Sequence, residues 1–519
     1  MGPGPAVQRA GLVAGQPRRR GRAHDDLVPG RHVLAADVRP GELQGRPRRA
    51  RAQLRRAHPG RLGRRRPARR VDGRRHRAGA GAPGRLSTVE PARNARPVRE
   101  TRSPHLAPVR DTGPAGVAAP SHPQEVTVSG TYSHVVIGAG AIGSAASYWL
   151  TRRGAERVLL LEQHDLGHAL GSSGDHSRII RRSYHRAEYA RLTDAMFEAW
   201  EQVERASGLP VYTRTGGLDL APPEHGGDAR LDVFRAAMDA AGHTYQDLTT
   251  DDLRARYPQW RVPDGTAALF QADAGIIDIR RSVSAHTALA LAAGVELRTR
   301  TRVTGLDVRD SSVTVRTTGG DVEAGALVVA TASWLPELMG DLGLDFRLTL
   351  SEEQVDYVAA RHLPSFTPDR FPIWVYHGAD VHYGFPVYGE AAVKIARDMR
   401  GRFVTVDGRT HQPDPEETAR SLRFLAEHLP DAAGAPLVAR TCVYDMPADR
   451  EFVLDTVPGH PHVAVANGAG HAGKFASLLG SVLADLLTAG TTTHDIDLFS
   501  LDRPAITDPR FPTEFSLHA

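Results

Sequence analysis

His134-Val-Val-Ile-Gly-Ala-Gly-Ala-Ile-Gly143 is a short apolar run closed by three glycines in G-x-G-x-x-G spacing. The run predicts a strand from His134 to Ile137, and the residues after it predict a helix from about Ala141 to Arg153, with Gly154 as its stop. A second strand is expected from Val158 to Glu162, which completes a β-α-β unit. In such a unit Gly138 permits the tight turn, Gly140 lets the backbone approach a pyrophosphate, and Gly143 lets helix pack on strand, with the helix N-terminus facing the phosphates. Glu162 ends the second strand nineteen residues beyond Gly143, where a carboxylate can accept both ribose hydroxyls. The unit calls for a dinucleotide and does not by itself decide between NAD and FAD.

Upstream of this unit the chain is a different object. Residues 1–130 hold twenty-eight Arg, no Lys, nine acidic residues and sixteen Pro, a balance of +19, whereas the rest holds 37 basic and 51 acidic residues, a balance of −14. A nucleic-acid reading of the overall +5 would therefore rest wholly on the leading segment. Residues 1–128 show no apolar periodicity and are expected to be a disordered extension, too poor in apolar surface to offset chain entropy. A polyanion-binding tail, an organelle address and an upstream stretch absent from the working protein are the three explanations. The last is favoured, with a natural start near Val126 or Val128, because the next methionine after Met1 is Met196.

The remainder, roughly 390 residues, is long enough for two domains. No run approaches the roughly 18 apolar residues of a membrane span. One cysteine, Cys442, excludes a disulfide framework and a multi-thiolate metal site, so no metal is expected. A soluble, cytoplasmic, monomeric protein is the simplest expectation, with no nucleic-acid or membrane partner for the folded part. Leu192, Met196, Trp200 and Val203 form one helical stripe that reads as core. Alternating helix and strand signals predict an interleaved α/β topology. A dinucleotide domain of Rossmann type takes 131–210, 279–345 and 441–505, and an α+β substrate domain on an antiparallel sheet takes 211–278 and 346–440.

Sixty-three arginines leave only two lysines, Lys394 and Lys474, so each surviving Lys marks a place where a compact point charge matters. Lys394 lies in the apolar strand Ala391-Ala-Val-Lys-Ile-Ala396, where a charge is expensive without a partner or a job. Gly171-Ser-Ser-Gly-Asp-His-Ser-Arg-Ile-Ile-Arg181 sets small residues and hydroxyls before Arg178 and Arg181, which fall on nearby faces if the stretch turns helical. Gly468-Ala-Gly-His-Ala-Gly-Lys474 opens a helix to about Thr488, whose free N–H groups favour an electron-rich group.

Together with Tyr383-Gly-Phe-Pro-Val-Tyr-Gly-Glu-Ala-Ala-Val-Lys394 and Thr441-Cys-Val-Tyr-Asp-Met-Pro-Ala-Asp-Arg-Glu-Phe-Val-Leu-Asp455, these stretches resemble the sarcosine oxidase and N-methyl-tryptophan oxidase family of FAD-dependent amine oxidases, within the D-amino-acid oxidase superfamily. The resemblance runs from the glycine motif to the C-terminal helix. It implies FAD as cofactor, joined through sulfur to Cys442 and bound also by Ser172, Ser173, Gly470 and Lys474 beside Gly138, Gly140, Gly143 and Glu162. It implies that Arg178 lies against the flavin and that Lys394 is the fixed cation promoting its reaction with O2. The substrate is then a small secondary amine with a carboxylate, held by Arg181 and Lys474, in a pocket bordered by Tyr383 and Tyr444. The carbon next to nitrogen gives a hydride equivalent to the flavin, the imine hydrolyses, and O2 becomes H2O2.

Three departures stand out. Gly174 occupies the place of a family histidine, Ala332 that of a usual glycine, and Asp398 that of a pocket histidine, which would favour a substrate with an extra cation or donor. Rival readings stay open: a nicotinamide-dependent dehydrogenase, a flavin dehydrogenase feeding a carrier, a non-covalent D-amino-acid or glycine oxidase, and a basic nucleic-acid-binding protein.

Overall fold

The computed structural model describes residues 130–515. Everything expected of the Arg- and Pro-rich extension lies outside the described residues. The opening unit forms with the strands Gly130–Ile137 and Val158–Leu161 parallel and in register, His134 beside Val158, and the helix Ala141–Arg152 between them. Val135, Val136 and Ile137 and the whole of Val158–Leu161 are apolar and buried, as parallel strands covered on both faces require. They sit inside an eight-stranded sheet, flanked by Val322–Val329 on one side and Glu296–Arg298 on the other. Val303–Val308 and Val313–Thr317 extend it antiparallel, and Val453–Val457 and His460–Asn467 return at the end of the chain. Between Val295 and Val308 the chain forms two strands, Glu296–Arg298 and Val303–Val308.

Helices bury the first helix in one shared core. Leu192, Met196, Trp200 and Val203 of Ala187–Ser207 all belong to that core, as their stripe predicts. Ala476–Ala489 crosses the first helix so closely that a Cβ on Gly480 would stand 2.5 Å from the Cβ of Ala145. Trp149 Nε1 donates to Ser477 Oγ across the same contact at 3.1 Å. The stretch Ala472–Ala489, with mean hydropathy 1.3 over 18 residues, is long and apolar enough to cross a membrane by length and composition, which corrects the expectation that no run comes near. Its apolarity is that of a core helix, with 61% of it buried inside the fold.

The second sheet has nine strands, running Arg402–Val404, Thr349–Val358, Val393–Arg397, Val381–Phe385, Ile373–His377, Gly217–Ala221, Ala267–Gln271 and Gln246–Leu248, with Pro436–Met446 paired to Thr349–Val358. Its ladders are antiparallel except between Ile373–His377 and Gly217–Ala221. Pro436–Met446 pairs with Thr349–Val358 from one end to the other. The division expected at residue 440 therefore falls inside a strand, and Cys442 and Tyr444 belong to this second sheet. A third, three-stranded sheet holds Ser177–Ile180, Gly275–Asp278 and Tyr212–Arg214. Arg178 is thus on a strand and not on a helix; its β-branched neighbours Ile179 and Ile180 suit the extended form, and Arg178 lies opposite Ile277.

Candidate active site

Alternation along the strands of the second sheet gathers the predicted site residues. Side chains two apart share a face, so Cys442 and Tyr444 point the same way, as do Lys394 and Ala396. Tyr383 pairs with Ala396 and Phe385 with Lys394, while Tyr357 pairs with Lys394 on the other side. One face of the sheet therefore carries Tyr383, Lys394, Cys442 and Tyr444, and Asp398 follows at the strand end. The facing wall comes from the loop and strand around Ser172–Arg181 and from the turn Gly468–Lys474. Between them lies a cavity of 210 Å³. It shares Gly140, Ser172, Ser173, Ala330 and Ala332 with a second cavity of 530 Å³ lined by Gly138, Glu162 and Trp334. Of the residues predicted for the site, only Gly143 lines neither.

The glycines behave as their spacing demands. Gly138 has φ +98, and a Cβ there would stand 2.5 Å from the Ala330 carbonyl; on Gly143 it would lie 1.8 Å from the Gly138 carbonyl, on Gly140 3.1 Å from Ser173 Oγ. Glu162 is tied to the glycine turn, accepting from the Ala139 amide at 2.9 Å and the His164 amide at 2.9 Å. Burial raises its pKa, but the His168 ring and those two amides outweigh this and hold its carboxyl below the usual range. Ala332, at the place of the usual glycine, takes a left-handed φ of +50, a strained conformation for alanine. Thr331 Oγ1 is buried in the second cavity without a hydrogen-bond partner among the described residues. Close-approach glycines, a ribose-type carboxylate, a helix N-terminus and an orphaned hydroxyl along two confluent cavities fit an extended dinucleotide.

Several predicted contacts are already committed within the protein. Ser172 donates to Asp445 at 2.8 Å and Ser173 Oγ accepts from the Ala141 amide at 2.9 Å, so both serines brace the turn. Arg178 staples the loop, donating to the carbonyls of Ser172 at 3.0 Å and Gly174 at 2.7 Å. Arg181, expected to clamp a substrate carboxylate, donates instead to Asp219, which also accepts from Ser183 at 2.6 Å and meets His377 at 3.0 Å. A guanidinium this buried needs a counter-ion, and Asp219 supplies it. Asp398, read as free to receive an extra cation or donor, is bound through both oxygens by Arg450, each at 2.9 Å. Arg450, 1% exposed, does not stand out in the sequence; its only signal there is the need of Asp398 for a partner.

Lys474 differs. Its Nζ donates to Tyr184 OH at 2.8 Å and to the His471 carbonyl at 3.3 Å, and it forms no ion pair among the described residues. Burial, with Arg181 and Arg450 close by, pushes its pKa down to about 7. Tyr383 and Tyr444 bring their hydroxyls to 3.4 Å, and burial raises both phenols. The Cys442 thiol lines the same cavity; burial pushes it up to about 11 against the pull of Arg178 and Lys394. Lys394 has the partner that its apolar strand required, Asp175, at 2.6 Å. Asp175, too, is absent from the residues that sequence patterns select.

A glycine-turn cavity confluent with one lined by a thiol, two phenols and paired charges defines a dinucleotide-dependent oxidoreductase. The chain belongs to the FAD dependent oxidoreductase family, whose profile matches residues 133–486, and this sets the nicotinamide reading aside. It is 31% identical to the monomeric sarcosine oxidase of Bacillus sp. over 377 residues, covering 72% of this chain and 96% of that one. It is 29% identical to the N-methyl-L-tryptophan oxidase of Citrobacter koseri over 389 residues, covering 72% and 99%. Among solved structures, the open form of NikD, an unusual amino acid oxidase essential for nikkomycin biosynthesis, matches with a TM-score of 0.64 at 27% identity, covering 72% of this chain and 98% of that chain.

Proposed function

We propose that the protein is a monomeric, cytoplasmic oxidase of small secondary amines that carry a carboxylate, N-methyl amino acids in the first place, with FAD attached covalently through Cys442. The observation that carries the substrate class is Lys474, a cavity-lining cation with no counter-ion of its own among the described residues, whereas the neighbouring Arg181 and Asp398 are each paired within the protein. The relatives named for sarcosine and N-methyl-L-tryptophan support the same class. Bound FAD supplies the two-electron acceptor for the C–H next to nitrogen and passes the electrons to O2, giving an imine and H2O2.

The chain's own residues do the rest. Lys474 takes the carboxylate as a point charge, Tyr383 and Tyr444 border the amine with un-ionised phenols, and Glu162 and the glycine turn hold the dinucleotide. Arg178 fixes the loop against which the cofactor rests. The apolar side chains Phe234, Val375 and Val381 that line the cavity exclude water.

The deciding experiment precipitates purified protein with acid and maps flavin by peptide mass, with peroxide release measured on sarcosine and on N-methyl-tryptophan. Flavin retained on the Cys442 peptide, with peroxide formed from either amine, is the expected result. Flavin released to the supernatant removes the covalent link, and a reduced flavin that makes no peroxide removes the oxidase.

A further inference from the structure

Lys394 and Asp175 lie 219 positions apart in the chain and meet in the cavity wall. Lys394 is 4% exposed, with the rings of Tyr357 and Phe385 5.7 and 4.8 Å from its Nζ. Nζ donates to Asp175 Oδ2 at 2.6 Å, and to the carbonyl and hydroxyl oxygens of Ser177, each at 3.1 Å. Asp175 is buried too. Each of its oxygens lies 2.8 Å from the Tyr357 hydroxyl, and Oδ1 accepts from Arg440 at 3.0 Å. Its backbone is left-handed, φ +67, a conformation that Asp and Asn tolerate better than most residues.

A buried ammonium without a counter-ion sheds its proton rather than bear the cost of desolvation. Four segments bring polar groups to face Lys394. The loop before Ser177 brings Asp175 and His176, the strand Ser177–Ile180 brings Ser177 and Arg178, Thr349–Val358 brings Tyr357, and Pro436–Met446 brings Arg440 and Cys442. Burial lowers the lysine's pKa and the Arg178 cation adds to that, whereas Asp175 acts against both. Asp175 is the one carboxylate in contact with Nζ among the described residues.

We propose that Asp175 is a positioning residue for Lys394: through one short ion pair it keeps the ammonium charged and pinned at a fixed point of the cavity wall, so the cation that promotes reaction with O2 is the work of two residues. This rests on the reading of Lys394 as that cation. The Tyr357 hydroxyl sits astride both oxygens of Asp175 and Arg440 holds Oδ1, while Oδ2 accepts from the lysine. Without Asp175 the ammonium would lose its proton at a lower pH than it does beside the carboxylate.

The scarcity of lysine makes the test direct. Protein labelled with [ε-13C]lysine shows two side-chain resonances, assigned by Lys394→Met and Lys474→Met. In the wild-type holoprotein the Lys394 signal should stay at the ammonium position across the neutral range; in Asp175→Asn, which keeps side-chain size and the left-handed backbone, it should titrate at a clearly lower pH than in the wild type. In parallel, O2-dependent reoxidation of the reduced flavin in Asp175→Asn should fall above that titration by about 100-fold, the scale on which a lost preorganised charge counts, and recover below it. Flavin reduction by the amine should change far less. Tyr357→Phe removes the phenol and keeps the carboxylate, so Lys394 should stay charged.

A wild-type Lys394 that already titrates near neutrality overturns the proposal without any variant. So does an Asp175→Asn signal unchanged from wild type, or a Tyr357→Phe shift as large as that of Asp175→Asn, which would make the role one of packing. If Lys394→Met reoxidises like wild type, it is the oxygen role of Lys394 that falls. If Lys394→Met is slow and Asp175→Asn is not, only the role of Asp175 falls.

Discussion

On the proposed reading, Lys474 would meet the substrate carboxylate with a proton that it holds only in part of the pH range. With burial and two neighbouring cations bringing its pKa to about 7, the free protein has the ammonium below that pH and loses it above. A bound carboxylate favours the charged form and raises the pKa. KM for a carboxylate-bearing amine should therefore climb as pH rises above about 7, with kcat at saturation changing less. Lys474→Met should abolish that limb and remove about 1.5–3 kcal/mol of binding, about 10- to 150-fold in KM; a wild-type KM flat across the range would move the anion site elsewhere. At this scale the sequence was legible where a residue type is scarce. Cys442, Lys394 and Lys474 stand out against a background of Arg, whereas Asp175 and Arg450 are single members of a crowd of 60 acidic and 65 basic residues. Their roles come from the partners they meet, and those partners are set by register rather than by neighbours in the chain.

Local elements follow the sequence where one periodicity dominates and depart from it where tertiary pairing decides. The glycine turn and its two strands match their expected positions to within a few residues. Ser177–Ile180 could have been helical on spacing alone, and became a strand because Gly275–Asp278 offers an extended partner whose Gly275 leaves no room for a Cβ, 2.2 Å from the Thr213 carbonyl. The stretch Ala472–Ala489, which ends in the core helix Ala476–Ala489, shows the opposite case: the sequence reading passed over a segment long and apolar enough for a membrane span, and packing makes it a core element. Its Gly480 permits the approach of the helix that carries the glycine turn. Gly480→Val would push atoms into Ala145, whose Cβ and backbone carbon stand 2.5 and 2.6 Å from the position of a new Cβ. Overpacking of this kind costs about 1–3 kcal/mol. Calorimetry should show a Tm lower by several degrees, and flavin retention should weaken with it because the first helix is displaced; an unchanged Tm would mean that the two helices slide apart without cost.

Across the whole molecule, the chain leaves and re-enters both large sheets, so each wall of the cavity is built from segments distant in sequence. Interleaving was readable from the order of helix and strand signals. The placement of Cys442 on the nine-stranded sheet was not, because the strand Pro436–Met446 takes its partner from far back in the chain, where Val355 meets Arg440, and no local signal marks that pairing. The end of the described chain adds a further constraint on the same cavity. The Glu514 amide donates to the Ala448 carbonyl at 2.8 Å, and the Phe515 carbonyl accepts from Arg450 at 2.7 Å. Phe515 also approaches Phe403, ring centres 6.0 Å apart. The tail thus caps the buried guanidinium that holds Asp398 in the cavity wall. Truncation after Arg510 should open Arg450 to water and remove one charge-assisted hydrogen bond, of about 1.5–3 kcal/mol at most. Steady-state kinetics should then show KM raised several-fold, with flavin retention in the acid pellet unchanged, since no tail contact reaches the glycine turn or Cys442 among the described residues. Equal loss of flavin and of substrate affinity would instead make the tail a general clasp between the two sheets, and its contact with Arg450 incidental to substrate binding.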